Sequence, residues 1–158
     1  PFERQSRMSP EEAAAAELQA VRAEMDPELF PRYIEQKVTQ IENAAVTYPD
    51  GITCMAGNCS FTVNWQGEMR PCVTLEEPSV PVFETGFEAA WEQASKEAKL
   101  LRGNEKCTKC RLRPICKTCV ASAKLETGAY DGVPEYLCRY AEEYERLLYK
   151  EQDTLNKS

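Results

Sequence analysis

Apolar residues recur at helical intervals through Ala14, Leu18, Val21 and Met25, and this spacing predicts an amphipathic helix. Ser9-Pro10-Glu11-Glu12 has the form of a capping box with proline at the first helical position, so the helix starts there. Asp26-Pro27 ends it. A second stripe, Phe30, Ile34, Val38, Ile41 and Ala45, predicts a helix from about Glu28 or Pro31 to about Val46. Tyr48-Pro49-Asp50-Gly51 then reads as a turn and a boundary. Beyond it the period shortens. Ser60-Phe61-Thr62-Val63-Asn64-Trp65 alternates polar and apolar, Gln66-Gly67 supplies a tight turn, and Glu68-Met69-Arg70-Pro71 returns, which predicts a β-hairpin. Pro71 donates no ladder hydrogen bond and marks an edge strand or its last residue. Pro78 and Pro81 predict an extended surface connection over residues 76–85. A further capping box, Thr85-Gly86-Phe87-Glu88, opens a helix whose apolar face is Phe87, Trp91, Ala94, Ala98 and Leu101, up to a C-cap at Gly103. Val120 to Leu125 predicts a helical turn or two, ended by Thr127-Gly128. After Asp131-Gly132-Val133-Pro134 a last helix runs to about Lys150, with Leu137, Tyr140 or Ala141, Tyr144 and Leu148 inward and a frayed tail over 153–158. These stripes are packing faces.

The predicted fold class is α+β, mostly helical with a small β-hairpin and cysteine-rich loops. At 158 residues the chain can build one domain with a genuine core, or a domain and an appendage. The division expected is 1–50 as a helical segment, 51–152 as a cysteine-bearing domain, and 153–158 as tail. A net charge of -7 repels a phosphate backbone, so no nucleic-acid partner is expected without a local basic stripe. Lys106, Lys109, Arg111, Arg113 and Lys117 do cluster, but they coincide with thiols and read as offsetting thiolate charge. There is no histidine, which removes Ser-His and Cys-His catalysis, His-containing zinc fingers and Rieske-type ligation. No apolar run approaches a membrane span and no signal peptide is visible, so no membrane partner and a cytoplasmic location are expected. The start at Pro1 rather than Met suggests a piece of a longer protein.

Eight cysteines change the picture most. Cys107, Cys110, Cys116 and Cys119 fall within C-T-K-C-R-L-R-P-I-C-K-T-C, while Cys54, Cys59, Cys72 and Cys138 flank it. Eight thiols divide into two sets of four, the ligand count of a zinc site or of a four-iron cluster. The hairpin brings Cys59 and Cys72 side by side, and Cys138 on the last helix can reach a centre beneath it. A single zinc held by Cys107, Cys110, Cys116 and Cys119 is cramped, with only five residues between the two pairs. Iron-sulfur is favoured over zinc, and four disulfides remain a third reading.

The order Cys54-x12-Gly67-x4-Cys72, a gap, Cys107-x2-Cys110-x5-Cys116-x2-Cys119, a gap and Cys138 resembles the SPASM region of radical SAM enzymes. That family's pattern is C-x9-15-G-x4-C, a gap, C-x2-C-x5-C-x3-C, a gap and C. The likeness covers residues 52–150, with one departure, two residues instead of three before Cys119. The resemblance implies two four-iron four-sulfur auxiliary clusters. Cys54, Cys59, Cys72 and Cys119 would hold the first, and Cys107, Cys110, Cys116 and Cys138 the second. It implies a peptide or protein substrate and a radical SAM barrel in cis, of which residues 9–46 would be the last part or the bridge. The C-x3-C-x2-C triplet that holds the S-adenosylmethionine cluster is absent, so this chain alone is not expected to be catalytic. With four thiolates on each cluster, electron transfer and substrate positioning are the implied roles. Sulfatase-maturing members carry an aspartate after the third cysteine, where this chain has Val73. The competing reading is a non-catalytic zinc-binding interaction module, with Trp65, Arg70 and the acidic helices as contact surface.

Overall fold

A computed structural model of the chain describes residues 7–157. The fold is α+β, mostly helical with one small antiparallel sheet. The chain forms two compact units that interleave along the sequence.

The described part of the first unit comprises residues 7–48, 109–118 and 134–157. Helix α1 spans Pro10–Glu24 and starts at the predicted box. The Glu12 amide donates to Ser9 Oγ at 3.1 Å and the Ser9 amide to the Glu12 carboxylate at 2.8 Å. Such a cap contributes about 1 kcal/mol. Helix α2, Phe30–Glu42, is shorter than its stripe suggested. Asn43 turns back on it, its side-chain amide donating to the Thr39 carbonyl at 3.1 Å, so Ala45 lies beyond the helix and Val46 is exposed. An asparagine that satisfies a last-turn carbonyl competes with another turn of helix. Helix α7, Glu135–Leu155, instead outruns its expected end near Lys150 and takes in Asp153.

Both α1 and α2 pack on α7. Their common core contains Leu18, Ile34, Val38, Ile41 and Leu148, joined by Leu112 and Ile115 from the cysteine loop. Tyr140 and Tyr144 stack in this core, with ring centroids 5.8 Å apart and planes 10° from parallel. The Tyr140 hydroxyl donates to the Glu17 carboxylate, and Tyr144 and Tyr33 share a hydroxyl hydrogen bond of 2.7 Å. Burial, then these bonds, pushes both stacked phenols far above the ordinary tyrosine value. Unfolding releases them to titrate near pH 10, so above that pH the unfolded chain holds fewer protons than the folded one. Stability is therefore retained below about pH 10 and falls as pH rises through the alkaline range. Urea midpoints should decline from pH 9 to 11, and Tyr144→Phe should flatten that decline.

The second unit comprises residues 49–108 and 119–133. Strands β1 (Thr62–Val63), β2 (Glu68–Arg70) and β3 (Val80–Pro81) lie in that order, all antiparallel. The hairpin is present, but its second strand is central and not an edge, because the stretch expected to be only a connection supplies β3. Pro71 falls just past the end of β2, and Pro81 lies on an outer strand, where a missing N–H costs no ladder bond. The β1–β2 turn is tied by Asn64, whose Oδ1 accepts the amides of Gln66 and Glu68 at 3.0 Å each. Gly67 closes it at φ +79°, a left-handed conformation that favours glycine.

A short helix α3 (Val82–Thr85) precedes α4 (Phe87–Ala98). Thr85 does not cap α4. It belongs to α3, and Gly86 takes the N-cap without a side-chain bond. The buried face of α4 is Ala90, Ala94 and Ala98, while Phe87 is exposed and Trp91 half-buried. Small alanines let the helix approach Met69 and Val80 of the sheet closely, which outweighs the larger apolar area of the expected face. The helix is capped at Lys99, short of Leu101 and Gly103. Helices α5 (Glu105–Thr108) and α6 (Val120–Thr127) complete the unit, and α6 ends at left-handed Gly128 as expected. Among the described residues no helix is long and apolar enough to cross a membrane.

Candidate metal centre

All eight cysteines are thiols outside any disulfide, and none is fully buried. In the second unit Cys54 and Cys59 bracket a tight loop. The Met55 carbonyl accepts the amides of Asn58, Cys59 and Ser60, and the Asn58 side-chain amide donates to the Cys54 carbonyl at 2.9 Å. At its apex Gly57 has φ +69°, and an added Cβ would stand 2.6 Å from that of Ala98 and 3.5 Å from that of Pro71. The Gly57 carbonyl accepts from Ser95 Oγ at 2.7 Å. The loop is thereby clamped on α4 beside Pro71, which carries Cys72 next in sequence. The Cys72 Sγ lies 3.0 Å from the Thr74 hydroxyl, and the Cys59 thiol donates to the Met55 thioether at 3.7 Å.

Asp50, ahead of this loop, accepts the amides of Gly51 and Gly103 at 2.7 and 2.6 Å. A Cβ on Gly103 would meet Val120 Cγ1 at 3.6 Å, and Val120 follows Cys119. Cys119 is itself the N-cap of α6. The Ser122 amide donates to its sulfur at 3.4 Å, and the Cys119 amide donates to Ser122 Oγ at 2.8 Å. The sulfur thus takes the place that a serine or aspartate oxygen usually has at a helix start. This cap was missed in the sequence because cysteine is not a usual N-cap residue. The C-x2-S spacing was its signal.

In the first unit Cys110 and Cys116 lie against the core that Leu112 and Ile115 anchor. Cys116 Sγ lies 3.0 Å from the hydroxyl of Thr118, a buried polar residue, and close enough to Tyr140 to add to the upward push on its phenol. Cys138 stands half-buried in the first turn of α7, its amide donating to the Pro134 carbonyl at 3.1 Å. Loop cations fasten the segment. Arg111 forms a forked ion pair with Glu145, which holds the guanidinium above its usual value, Lys117 pairs with Glu17, and Arg113 donates to the Thr118 carbonyl. These partners are carboxylates and a backbone carbonyl, and Cys110 is also near enough to Arg111 to act on its charge.

The cysteine-dense loop is thus divided. Cys54, Cys59, Cys72 and Cys119 belong to one unit, together with Cys107 on α5, while Cys110, Cys116 and Cys138 belong to the other. Among the described residues no three Cys, Asp or Glu side chains gather closely enough to hold one ion. A tetrahedral zinc site needs four donors about 2.0–2.3 Å from a single centre, so the thiols as placed do not form one. Nor do they form a four-iron site as placed; in kind, a donor set that is sulfur throughout, with hydroxyl or amide groups beside Cys72, Cys116 and Cys119, suits zinc and iron-sulfur alike. Comparison of the chain with protein-family models, with curated proteins and with solved structures gives no match in any of the three.

Proposed function

We propose that this chain is the auxiliary-cluster region of a radical SAM enzyme that modifies a peptide or protein. Cys54, Cys59, Cys72 and Cys119 would hold one four-iron four-sulfur cluster, and Cys107, Cys110, Cys116 and Cys138 a second. The observation that supports the reading is that all four cysteines assigned to the first cluster, though spread from Cys54 to Cys119, belong to one compact unit; of the second set, Cys110, Cys116 and Cys138 share the other unit and Cys107 does not. When bound, such clusters supply one-electron transfer. The chain's own residues do the rest. The Gly57 clamp and the Cys119 helix cap fix two of the thiol segments, and Thr74, Thr118 and the Ser122 amide direct donors at ligand sulfurs. Initiating chemistry and S-adenosylmethionine binding are assigned to a barrel in cis, and the cytoplasm is the proposed compartment.

Reduction by dithionite after anaerobic reconstitution with iron and sulfide tests the reading. The expected result is a brown chain that takes up about two electrons, one for each cluster, with low-temperature EPR signals of two reduced clusters. A colourless chain that instead takes stoichiometric zinc and no electrons sinks it in favour of the interaction module.

A further inference from the structure

One edge of the small sheet lacks the usual protection against pairing. Strand β1 is outermost, with Thr62 opposite Arg70 and Val63 opposite Met69, and the Asn64 amide donates to the Glu68 carbonyl at 3.0 Å. Bonded residues alternate along an antiparallel ladder, so Thr62 and Asn64 bond towards β2 while the Val63 amide and carbonyl point out of the open edge. Natural edges are guarded by charge or proline. Pro81 guards β3, but residues 60–67 carry neither.

Apolar side chains stand beside this edge. Val63 shares a sheet face with Met69, which packs on α4, and Phe61 reaches the same helix. The Phe61 ring centroid lies 5.4 Å from that of Phe87, edge to face, and 5.8 Å from that of Trp91. Yet α4 leaves this margin open, for Phe61 and Val63 are each 41% exposed, Phe87 53% and Trp65, in the following turn, 91%. The surroundings are acidic. Residues 71–95 hold five glutamates and no lysine or arginine, and Glu84, Glu88 and Glu92 are exposed on α3 and α4. Arg70 is taken by Glu68 at 2.7 Å.

We propose that the open edge of β1 docks an extended segment of a partner protein with lysine or arginine at every second position. The segment joins as an antiparallel fourth strand and bonds its backbone to Val63. The residue paired with Val63 shares its face, so the cationic side chains lie on the α4 side. Their stems cover Phe61 and Val63, and their heads meet the aromatic faces or Glu88 and Glu92. A second copy of this chain fits poorly, since pairing this edge with itself sets the same glutamates against one another. No metal takes part, so the site stands apart from the two-cluster reading.

Calorimetric titration of the full chain with a peptide of alternating arginine and threonine, about six residues long, tests this. Saturable one-to-one binding is expected, weakening about fivefold or more as salt rises from about 0.05 to 0.5 M. The same peptide with glutamate for arginine should bind at least about tenfold more weakly. Trp65→Ala should lose about fivefold in affinity without unfolding, and Glu88→Gln combined with Glu92→Gln about fivefold with a flatter salt dependence. Val63→Pro deletes the outward amide and should lose about tenfold. Should that variant unfold, the ligand carries the test: N-methylation of the arginine amides should cost about tenfold, and of the threonine amides little. Absence of binding, equal affinity for the arginine and glutamate peptides, or equal affinity for the two methylated peptides overturns the proposal. So does a chain that dimerises through this edge and excludes the peptide.

Discussion

Replacing Leu148 with alanine should cost the first unit about 3–4 kcal/mol. Leu148 is fully buried on α7, in the core built by α1, α2 and the Leu112–Ile115 loop segment. Large-to-small changes at such sites lose both the transfer free energy of the deleted carbons and the packing around the cavity, about 2–5 kcal/mol in all. The low end of that range is not expected because the core of this unit draws on three separated stretches of chain, which limits collapse around the hole. Against a total stability of about 5–15 kcal/mol, this is a large fraction. Urea denaturation followed by circular dichroism reads the change, and a loss below about 1 kcal/mol would mean that the α7 core is loosely packed.

Gly57→Ala should be of similar size in the second unit, and for a different reason. Its φ of +69° costs a side-chain-bearing residue about 1–2 kcal/mol, and a Cβ 2.6 Å from that of Ala98 adds overpacking of about 1–3 kcal/mol. The expected total is about 2–5 kcal/mol. Gly128→Ala is the control. It shares a positive φ of 82° but meets no atom within 4 Å, so it should lose only the conformational part. Equal losses at the two glycines would show that the Cys54–Cys59 loop is not clamped on α4. Because the loop carries two thiols, Gly57→Ala should also weaken metal uptake by the set containing Cys72 more than by the other.

The helices were legible wherever a cap and a stripe agreed. Ser9 and Glu12 placed the start of α1, and Thr127-Gly128 the end of α6, because these are local interactions that need nothing from the rest of the chain. Where tertiary packing decided, the pattern misled. Of the expected face of α4, Ala94 and Ala98 are buried and Trp91 packs beside them, but Phe87 is exposed and Ala90 takes the place nearest the sheet. Strand β3 was hidden because two residues, one of them a proline, carry almost no periodic signal. The interleaving of the units was hidden for a related reason. Periodicity reports local structure, whereas residues 109–118 and α7 join the N-terminal helices through contacts distant in sequence.

For the site, the eight thiols and their spacing were open to reading, and their surroundings were not. Thr74 and Thr118 look like ordinary loop threonines until their hydroxyls are seen beside sulfur, and Cys119 looks like one more loop cysteine until it caps α6. The ion pairs of Arg111 with Glu145 and of Lys117 with Glu17 were equally hidden, because these carboxylates lie far from the loop in sequence.

The central claim is that two separate sets of four cysteines each hold a cluster. Iron and acid-labile sulfide per chain, counted after anaerobic reconstitution of the parent, Cys72→Ser and Cys138→Ser, test it most directly. The account predicts about eight iron in the parent and about four in each variant, with different clusters surviving in the two. Zinc in place of iron, thiols paired as disulfides, or single substitutions that remove all the iron or none would contradict it.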